Sequence, residues 1–327
     1  MAEPLREAIR GLAFAADAAP EDVKQAAREI ARLGGESVRA LVFFGSRKTR
    51  PSSDPWSAYD FFVLTEGYSS FYRSLSVAGA LVRSSGLVAS LNAWLPPNQI
   101  SLKPVVDGGV VRAKCAVIDL ARLVRETSAE RSDQFCAGRL FQPSAVVFAR
   151  DEASTDSVLE ALIGAHRAMR EWLRPSLPRE FDAEAFARQA LLVSLAGEIR
   201  PEPGGRAEAL YEAQRDYHRA VTPLLLEEWL RDGTLLETGA GRFSWSRPVD
   251  DAERRRVARL FARSKLRATL RWAKYVLTFD DWLEYLVRKA RRHSGEEIEL
   301  SARERRWPLV FLWPRVFRYL RSKGRRG

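Results

Sequence analysis

Two short features, near residues 45 and 60, bring together residue types that handle phosphate groups. Gly45 and Ser46 follow an apolar run from Leu41 to Phe44, and Asp60 opens a second apolar run, Phe61 to Leu64. We predict two buried strands, with a turn of small residues after the first. A glycine lets the backbone approach a triphosphate, a serine hydroxyl can bond a phosphate oxygen, and a carboxylate on a strand can hold a divalent metal. The pattern is typical of a nucleotidyl-transfer site, and it also occurs in ordinary hairpin-like connections.

The segments that must position these residues alternate between helix and strand patterns. In chain order we predict a helical region over residues 1–37, helices within Ser69 to Leu91 that break near Ser84 to Gly86, and strands from Ile100 to Val106 and from Ala113 to Ile118. The loop Asp107-Gly108-Gly109 joins the last two strands as a hairpin. This alternation predicts an α/β domain around a small mixed sheet, over residues 1–155.

The second half of the chain has a different, mostly helical character. We predict helices from Ser157 onward with an interruption at Pro175 and Pro178, further helices from Phe181 to Leu195 and from Ala207 to Leu230, and a short hairpin from Thr234 to Trp245. Helices closed by a small hairpin favour a winged-helix-like domain over residues 156–292. The fold class we predict is therefore α/β (α+β), with a basic amphipathic tail over residues 293–327.

Composition and charge limit the classes of function that this chain can have. The chain has 327 residues, 46% of them hydrophobic, and a formal net charge of +11. Nine arginines and lysines lie between Arg303 and Gly327, where Glu304 is the one acid, so the tail favours an anionic partner. Cys115 and Cys136 are too few for a disulfide framework or a zinc site, and we predict that both are buried. Because no signal pattern or bilayer-length apolar run occurs, we expect a cytoplasmic protein that contacts any membrane from its surface.

Six segments, in order, carry a resemblance to a known family. They are the Gly45-Ser46 turn, the strand with Asp60, the strand ending in AKCAVI, the segment QFCAGRLFQP (Gln134 to Pro143), and LPREFDAEAFARQALLVSLAGEIR (Leu177 to Arg200) with the later KLRATLRWAKYVLTF. Together they resemble the phosphatidate cytidylyltransferases of the mitochondrial-maintenance type. The AGRL motif and its following proline are the most specific piece. The resemblance spans roughly Leu41 to Lys289.

The resemblance implies an activity and a set of roles. In the implied reaction, CTP reacts with phosphatidate to give CDP-diacylglycerol and pyrophosphate, with Mg²⁺ as cofactor. The phosphatidate lies in an anionic membrane, and no nucleic-acid partner is expected. Asp60 would hold the metal and Lys114 would stabilise charge on the transferring phosphoryl group. The implied nucleotide-binding residues are Gly45, Ser46, Arg47, Lys48 and Arg139, and the implied substrate or interdomain residues are Glu198, Arg200, Lys265 and Lys274.

Each of these residues also has a structural interpretation. Nucleotidyltransferases in general place two acids two residues apart on this strand, whereas here position 58 is alanine. The resembled family also tends to carry one acid at this point. Further metal ligands stay unassigned among Asp54, Glu66 and Asp119, all of which suit surface roles. Arg47 and Lys48 are also compatible with solvated charges in a loop, and Lys114 with a residue at the edge of a sheet. Arg139 is compatible with a position on a helix surface. Glu198 and Arg200 are compatible with an interdomain salt bridge. The histidines 166, 218 and 293 have no partners at useful spacing, so we assign them no chemistry.

The tail combines aromatic and basic residues, as an interfacial membrane anchor requires. The anchor residues we predict are Trp307, Phe311, Trp313, Arg315, Phe317, Arg318 and Arg321. Single-stranded nucleic acid would also suit this pattern, through base stacking and backbone contacts. Two alternative functions stay open: a nucleotidyltransferase that acts on RNA, tRNA or protein, and an inactive nucleotidyltransferase-like adaptor. We expect the protein to be peripheral on the inner face of the cell membrane.

Overall fold

The structure is a computed structural model that describes residues 3–49, 57–196 and 206–278, with Ser301 and Arg303. The strands are β1 (Val38–Phe44), β2 (Tyr59–Thr65), β3 (Asn98–Leu102), β4 (Val105–Val106), β5 (Gly109–Val110), β6 (Ala113–Asp119), β7 (Ala145–Ala149), β8 (Glu180–Phe181), β9 (Leu235–Gly239) and β10 (Arg242–Trp245). The helices are α1 (Pro4–Ala13), α2 (Glu21–Gly34), α3 (Ser46–Thr49), α4 (Tyr68–Val77), α5 (Ser85–Trp94), α6 (Leu120–Glu126), α7 (Phe135–Leu140), α8 (Glu152–Arg167), α9 (Met169–Leu173), α10 (Ala183–Ala196), α11 (Arg206–Ala213), α12 (Arg215–Arg231) and α13 (Asp251–Thr278).

A five-stranded mixed sheet forms the centre of the first half, in the order β3-β6-β2-β1-β7. Strands β2 and β6 are parallel, and the other pairs are antiparallel. Phe61 and Val63 of β2 pack on one face with α2, α4 and α5, whereas Phe62 and Leu64 pack on the other with α1, α7 and α8. Because helices cover both faces, the strand is a nearly continuous apolar run. The predicted mixed α/β character is confirmed.

The second half adds a smaller, three-stranded antiparallel sheet in the order β8-β10-β9. Helices α10, α11 and α12 lie between β8 and β9 in the chain, and β9 and β10 form the predicted hairpin. Phe181 of β8 lies 5.5 Å from the ring of Trp245 and 6.2 Å from that of Phe186, measured between ring centroids. This aromatic cluster joins the small sheet to its helices.

The chain up to Thr278 forms one compact unit, and the remainder forms a second, of which the structure describes Ser301 and Arg303. The domain boundary predicted between residues 155 and 156 falls within α8, and the division into three domains stays a prediction. Among the described residues, no helix combines the length and the apolar character that crossing a bilayer requires.

Three predicted elements have different bounds in the structure. The strand predicted from Ile100 to Val106 ends at Leu102, since Pro104 has no N–H to donate to a ladder. Helix α4 ends at Val77, earlier than the predicted break, because Gly79 adopts a positive φ of 68° and Ala80 N–H bonds the carbonyl of Leu75.

The helix predicted from Ala207 to Leu230 is also interrupted. It divides into α11 and α12 at Gln214, whose backbone (φ −124°, ψ 11°) leaves the helical region. The Gln214 side chain donates a hydrogen bond to Gln142, which follows α7 (3.0 Å). This long-range contact has no signal in the local sequence.

Candidate functional site

Gly45 and Asp60 lie directly against each other. In the antiparallel register of β1 and β2, Phe44 is opposite Asp60, so the turn after β1 passes over the carboxylate. Gly45 has a φ of 86°, and a Cβ at this position would lie 2.7 Å from Asp60 Oδ2. Glycine is therefore required for two reasons, its backbone conformation and the close approach of the carboxylate.

Lys114 occupies the register position beside Asp60 on the parallel neighbour β6. Neighbouring strands are about 4.8 Å apart, and residues in register share a face of the sheet. Both side chains are half-buried, on the face where Phe62 and Ala116 pack. The sheet thus brings together a small-residue turn, a carboxylate and an ammonium group that lie far apart in the sequence.

Arg47 is positioned by a neighbouring aromatic ring. Its guanidinium carbon lies 4.1 Å from the ring centroid of Tyr59, and its Nη1 donates to the carbonyl of Ser57 at 2.9 Å. The Tyr59 hydroxyl in turn donates to the carboxylate of Asp22 in the first turn of α2. Burial, and then the Asp22 bond, raise the pKa of Tyr59 to about 12, so the hydroxyl stays a donor at neutral pH. Neither Tyr59 nor Asp22 was a sequence-predicted site residue.

Ser46 and Lys48 lie in the short helix α3 that follows Gly45. The backbone N–H of Lys48 donates to the carbonyl of Gly45 at 3.0 Å, which closes the turn. Burial lowers the pKa of the Lys48 ammonium, against the opposing effect of Asp17. A half-buried cation is therefore held next to the turn that contacts Asp60.

Arg139 lies on α7, the helix that covers the same face of the sheet as Asp60. Its guanidinium carbon is 3.7 Å from the ring centroid of Phe135, and its Nη1 donates to the Phe135 carbonyl at 2.9 Å. The Phe135 ring packs edge-on against Phe62 of β2, with centroids 6.2 Å apart. Within the AGRL segment, Gly138 allows α7 to approach α10 closely, since a Cβ there would lie 3.1 Å from the Cβ of Ser194.

The acids considered as further metal ligands have structural partners where they are described. Asp119 caps α6 by accepting from the Arg122 backbone N–H at 3.1 Å, and Glu66 pairs with Arg39 at 2.9 Å. Asp54 lies outside the described residues. Within the described ranges, no group of three or more His, Cys, Asp or Glu residues is arranged to hold a metal. Mg²⁺ in phosphoryl-transfer sites is bound by one or two carboxylates, substrate phosphates and water, and Asp60 fits the protein's part of such a set.

Helix α13 is fixed to the first half of the molecule by a row of basic residues. Arg267 and Arg271 both pair with the buried carboxylate of Asp133, the former at 2.6 Å. Burial alone would raise the pKa of Asp133, but Arg271 and Arg267 outweigh it and hold this pKa below its ordinary value. The Arg271 Nε also donates to the carbonyl of Pro96 at 3.1 Å.

Lys274 continues this row and is buried. Its ammonium donates to the carbonyls of Leu91, Leu95 and Pro97, which lie at and just after the C-terminal end of α5. Burial, followed by Arg271 and Arg267, lowers the pKa of Lys274 to about 7. Lys265, in contrast, is exposed on α13. We call Asp133, Arg267, Arg271 and Lys274 the α13 clamp; the sequence singled out only Lys274 among them.

The other predicted residues divide between core and undescribed positions. His166 and His218 are buried against Phe141, with ring centroids 5.1 and 5.2 Å away, and burial lowers the pKa of His166 to about 4 and that of His218 to about 3. Glu198, Arg200, His293 and the predicted anchor residues Trp307, Phe311, Trp313, Arg315, Phe317, Arg318 and Arg321 lie outside the described residues.

The cysteine prediction is confirmed, because Cys115 and Cys136 are both free and buried. Burial raises the pKa of each thiol.

The chain was compared with protein families and with curated proteins. No protein-family model matches the chain, and no curated protein matches it either. Any proposal about activity therefore depends on the site's own geometry and on the resemblance of its motifs.

Proposed function

We propose that this protein is a Mg²⁺-dependent nucleotidyltransferase that joins CTP to phosphatidate, forming CDP-diacylglycerol and pyrophosphate. The observation that carries the proposal is the contact of the Gly45 turn with the Asp60 carboxylate, beside Lys114 in register. This arrangement combines close backbone access, a metal-binding group and a cation at one edge of a sheet. The choice of CTP and phosphatidate rests on the motif resemblance alone.

Each residue has a defined role in this proposal. Asp60 holds Mg²⁺, which neutralises phosphate charge when bound. Lys114 stabilises the negative charge that develops on the transferring phosphoryl group. Arg47 and Arg139 bind phosphate oxygens through guanidinium groups, which can donate two parallel hydrogen bonds. Because the acceptor phosphate is already anionic, attack on the α-phosphorus needs little general-base assistance, and positioning supplies most of the rate enhancement.

We propose that the second half of the chain forms a winged-helix-like accessory domain. The order β8, α10, α11, α12, β9, β10, with β10 between the other two strands, supports this proposal, because a hairpin follows a run of helices. We propose that the basic, aromatic tail after residue 293 binds anionic headgroups, so that the protein is cytoplasmic and peripheral on the inner face of the cell membrane.

The test is a label-transfer assay with four nucleotides. Purified protein is incubated with Mg²⁺, vesicles that contain phosphatidate, and each α-³²P-labelled NTP, and the lipids are then extracted. Label in the lipid phase from CTP alone supports the proposal. Label in added tRNA or in the protein itself would replace phosphatidate with another acceptor.

Substitution of the carboxylate tests the site itself. Asp60→Asn should abolish transfer and leave the thermal unfolding midpoint within a few degrees of the wild type. Glu66→Gln serves as the matched control, since Glu66 immediately follows the same strand and pairs with Arg39. Equal activity of the two variants would remove Asp60 from the proposed mechanism.

A second candidate function is favoured by one specific observation. Position 58 is alanine, where nucleotidyltransferases in general carry an acid, and Asp60 is the one acid within strand β2. An inactive nucleotidyltransferase-like adaptor would bind nucleotide without transferring it. Saturable CTP binding by equilibrium dialysis, together with no label transfer to any acceptor, would support this second function over the first.

A further inference from the structure

Helices α4 and α5 and the turn between them present an unusual set of exposed apolar side chains. Val77 is 86% exposed, Val82 83%, Trp94 63% and Leu87 52%. We call these four residues the α4–α5 ridge. Isolated exposed apolar residues are common, but four of them within eighteen residues, on two packed helices and the connection between them, mark an interaction surface.

Helix α5 gives the clearest evidence that this surface contacts a partner. Its ten residues, SGLVASLNAW, include no charged side chain. Val88, Ala89 and Asn92 are buried on one face, whereas Leu87 and Trp94, seven positions apart, are exposed on the other. A helix face in contact with water normally carries charged and polar residues. The exposed face of α5 is therefore suited to an apolar environment.

The segment of the chain that contains the ridge carries charge of one sign. No aspartate or glutamate occurs from residue 67 to residue 106, and the same stretch contains Arg73, Arg83 and Lys103. Basic residues in the same segment as exposed aliphatic side chains complement an anionic lipid surface, where arginines reach phosphates and aliphatic groups enter the acyl boundary. Tryptophan, as at position 94, is enriched at the headgroup level.

Buried leucines and a backbone hydrogen bond hold the connection between α4 and α5 in place. Leu75 and Leu81 are buried on either side of the turn, and the Ala80 N–H donates to the Leu75 carbonyl at 2.8 Å. Gly79 adopts the positive φ that ends α4 with this bond. Val77, the last residue of α4, and Val82, in the connection after it, thus flank a hydrogen-bonded turn.

We propose that the α4–α5 ridge docks on an anionic bilayer surface, as a membrane contact separate from the C-terminal tail. A second copy of the chain fits the ridge less well. Four side chains offer only a few hundred Å² of apolar surface, short of the roughly 800 Å² that each partner buries in a standard protein interface. This contact does not depend on the proposed transferase activity, because it is measured without nucleotide.

A fluorescent label at the ridge tests the contact in the full chain. Cys115 and Cys136 are 0% and 2% exposed, so a thiol-reactive NBD dye will label an introduced Val82→Cys selectively. Vesicles of phosphatidylcholine with 30% phosphatidylglycerol should shift the NBD emission to the blue and increase its intensity. The same dye at Leu236→Cys, on β9 and 53% exposed, should not respond.

Vesicle flotation measures the contribution of the ridge. The double variant Val82→Asp/Leu87→Asp should lower the partition coefficient about tenfold or more, whereas Leu236→Asp should leave it unchanged. The proposal is overturned if the protein floats while the label at position 82 does not respond, since the tail alone then binds. An NBD shift that depends on protein concentration without vesicles would instead assign the ridge to a second copy.

Discussion

The substitution Gly45→Ala tests the geometry on which the proposed site depends. The new Cβ would lie 2.7 Å from Oδ2 of Asp60 and 3.3 Å from its Cβ and Cγ, too close for the carboxylate to keep its position. The backbone φ of 86° adds strain of about 1–2 kcal/mol for any residue with a Cβ. A shift of about 1 Å at a catalytic group can lower the rate about 100-fold. We expect Gly45→Ala to reduce label transfer by that factor or more.

The matched control is Gly241→Ala, which separates backbone strain from contact with the carboxylate. Gly241, in the β9–β10 hairpin, also has a positive φ, 71°, but nothing lies within 4 Å of the position that its Cβ would take. Urea denaturation should therefore show a loss of about 1–2 kcal/mol for Gly241→Ala and a larger loss for Gly45→Ala. Label transfer per folded molecule should fall only in the latter. If the two variants were equally stable and equally active, the close approach of Gly45 and Asp60 would contribute neither to stability nor to activity.

Two further predictions concern the α13 clamp. Asp133→Asn leaves Arg271 buried without its anion, so we expect urea denaturation to show a loss of about 3–5 kcal/mol in the free energy of unfolding. The double variant Asp133→Asn/Arg271→Met should recover part of this loss. If the losses of the two single variants simply added in the double variant, the pairing of Asp133 with Arg271 would be contradicted. Lys274 has a pKa of about 7 in the folded chain against 10.5 ordinarily. The unfolded state then binds more protons between these values, so stability should rise with pH in this window. Between pH 7 and 8.5 the wild type should gain about 1.5 kcal/mol relative to Lys274→Met, and a constant difference would refute the lowered pKa.

The elements around the proposed site follow from local sequence patterns. Strands β1 and β2 are apolar runs bounded by turn residues, and the Gly45 turn and Asp60 both lie where those patterns place them. Such runs are recognisable because both faces of the sheet are covered by helices. The strand register was not predictable from the runs alone, since alternative pairings bury similar side chains. The contact of Gly45 with Asp60 depends on that register.

The contacts that sequence reasoning missed join residues far apart in the chain. Asp133 pairs with Arg271, 138 positions later, and Lys274 reaches carbonyls that follow α5. No periodicity or spacing identifies which of many arginines and lysines will be buried, because the burial depends on how α13 packs. Tyr59 and Asp22 were missed for a similar reason: their hydrogen bond joins a strand to a preceding helix, and neither residue type at that spacing indicates a contact.

The sheet, more than the loops, fixes the proposed site. Gly45 directly follows β1, Asp60 is the second residue of β2, and Lys114 is the second residue of β6. Because β1 runs antiparallel to β2, and β2 parallel to β6, the end of the first strand meets the beginnings of the other two at one edge. Backbone hydrogen bonds on three adjacent strands therefore set the separation of the turn, the carboxylate and the ammonium. A change of acceptor, from phosphatidate to RNA or protein, would alter the surfaces around this edge and leave the three groups in place.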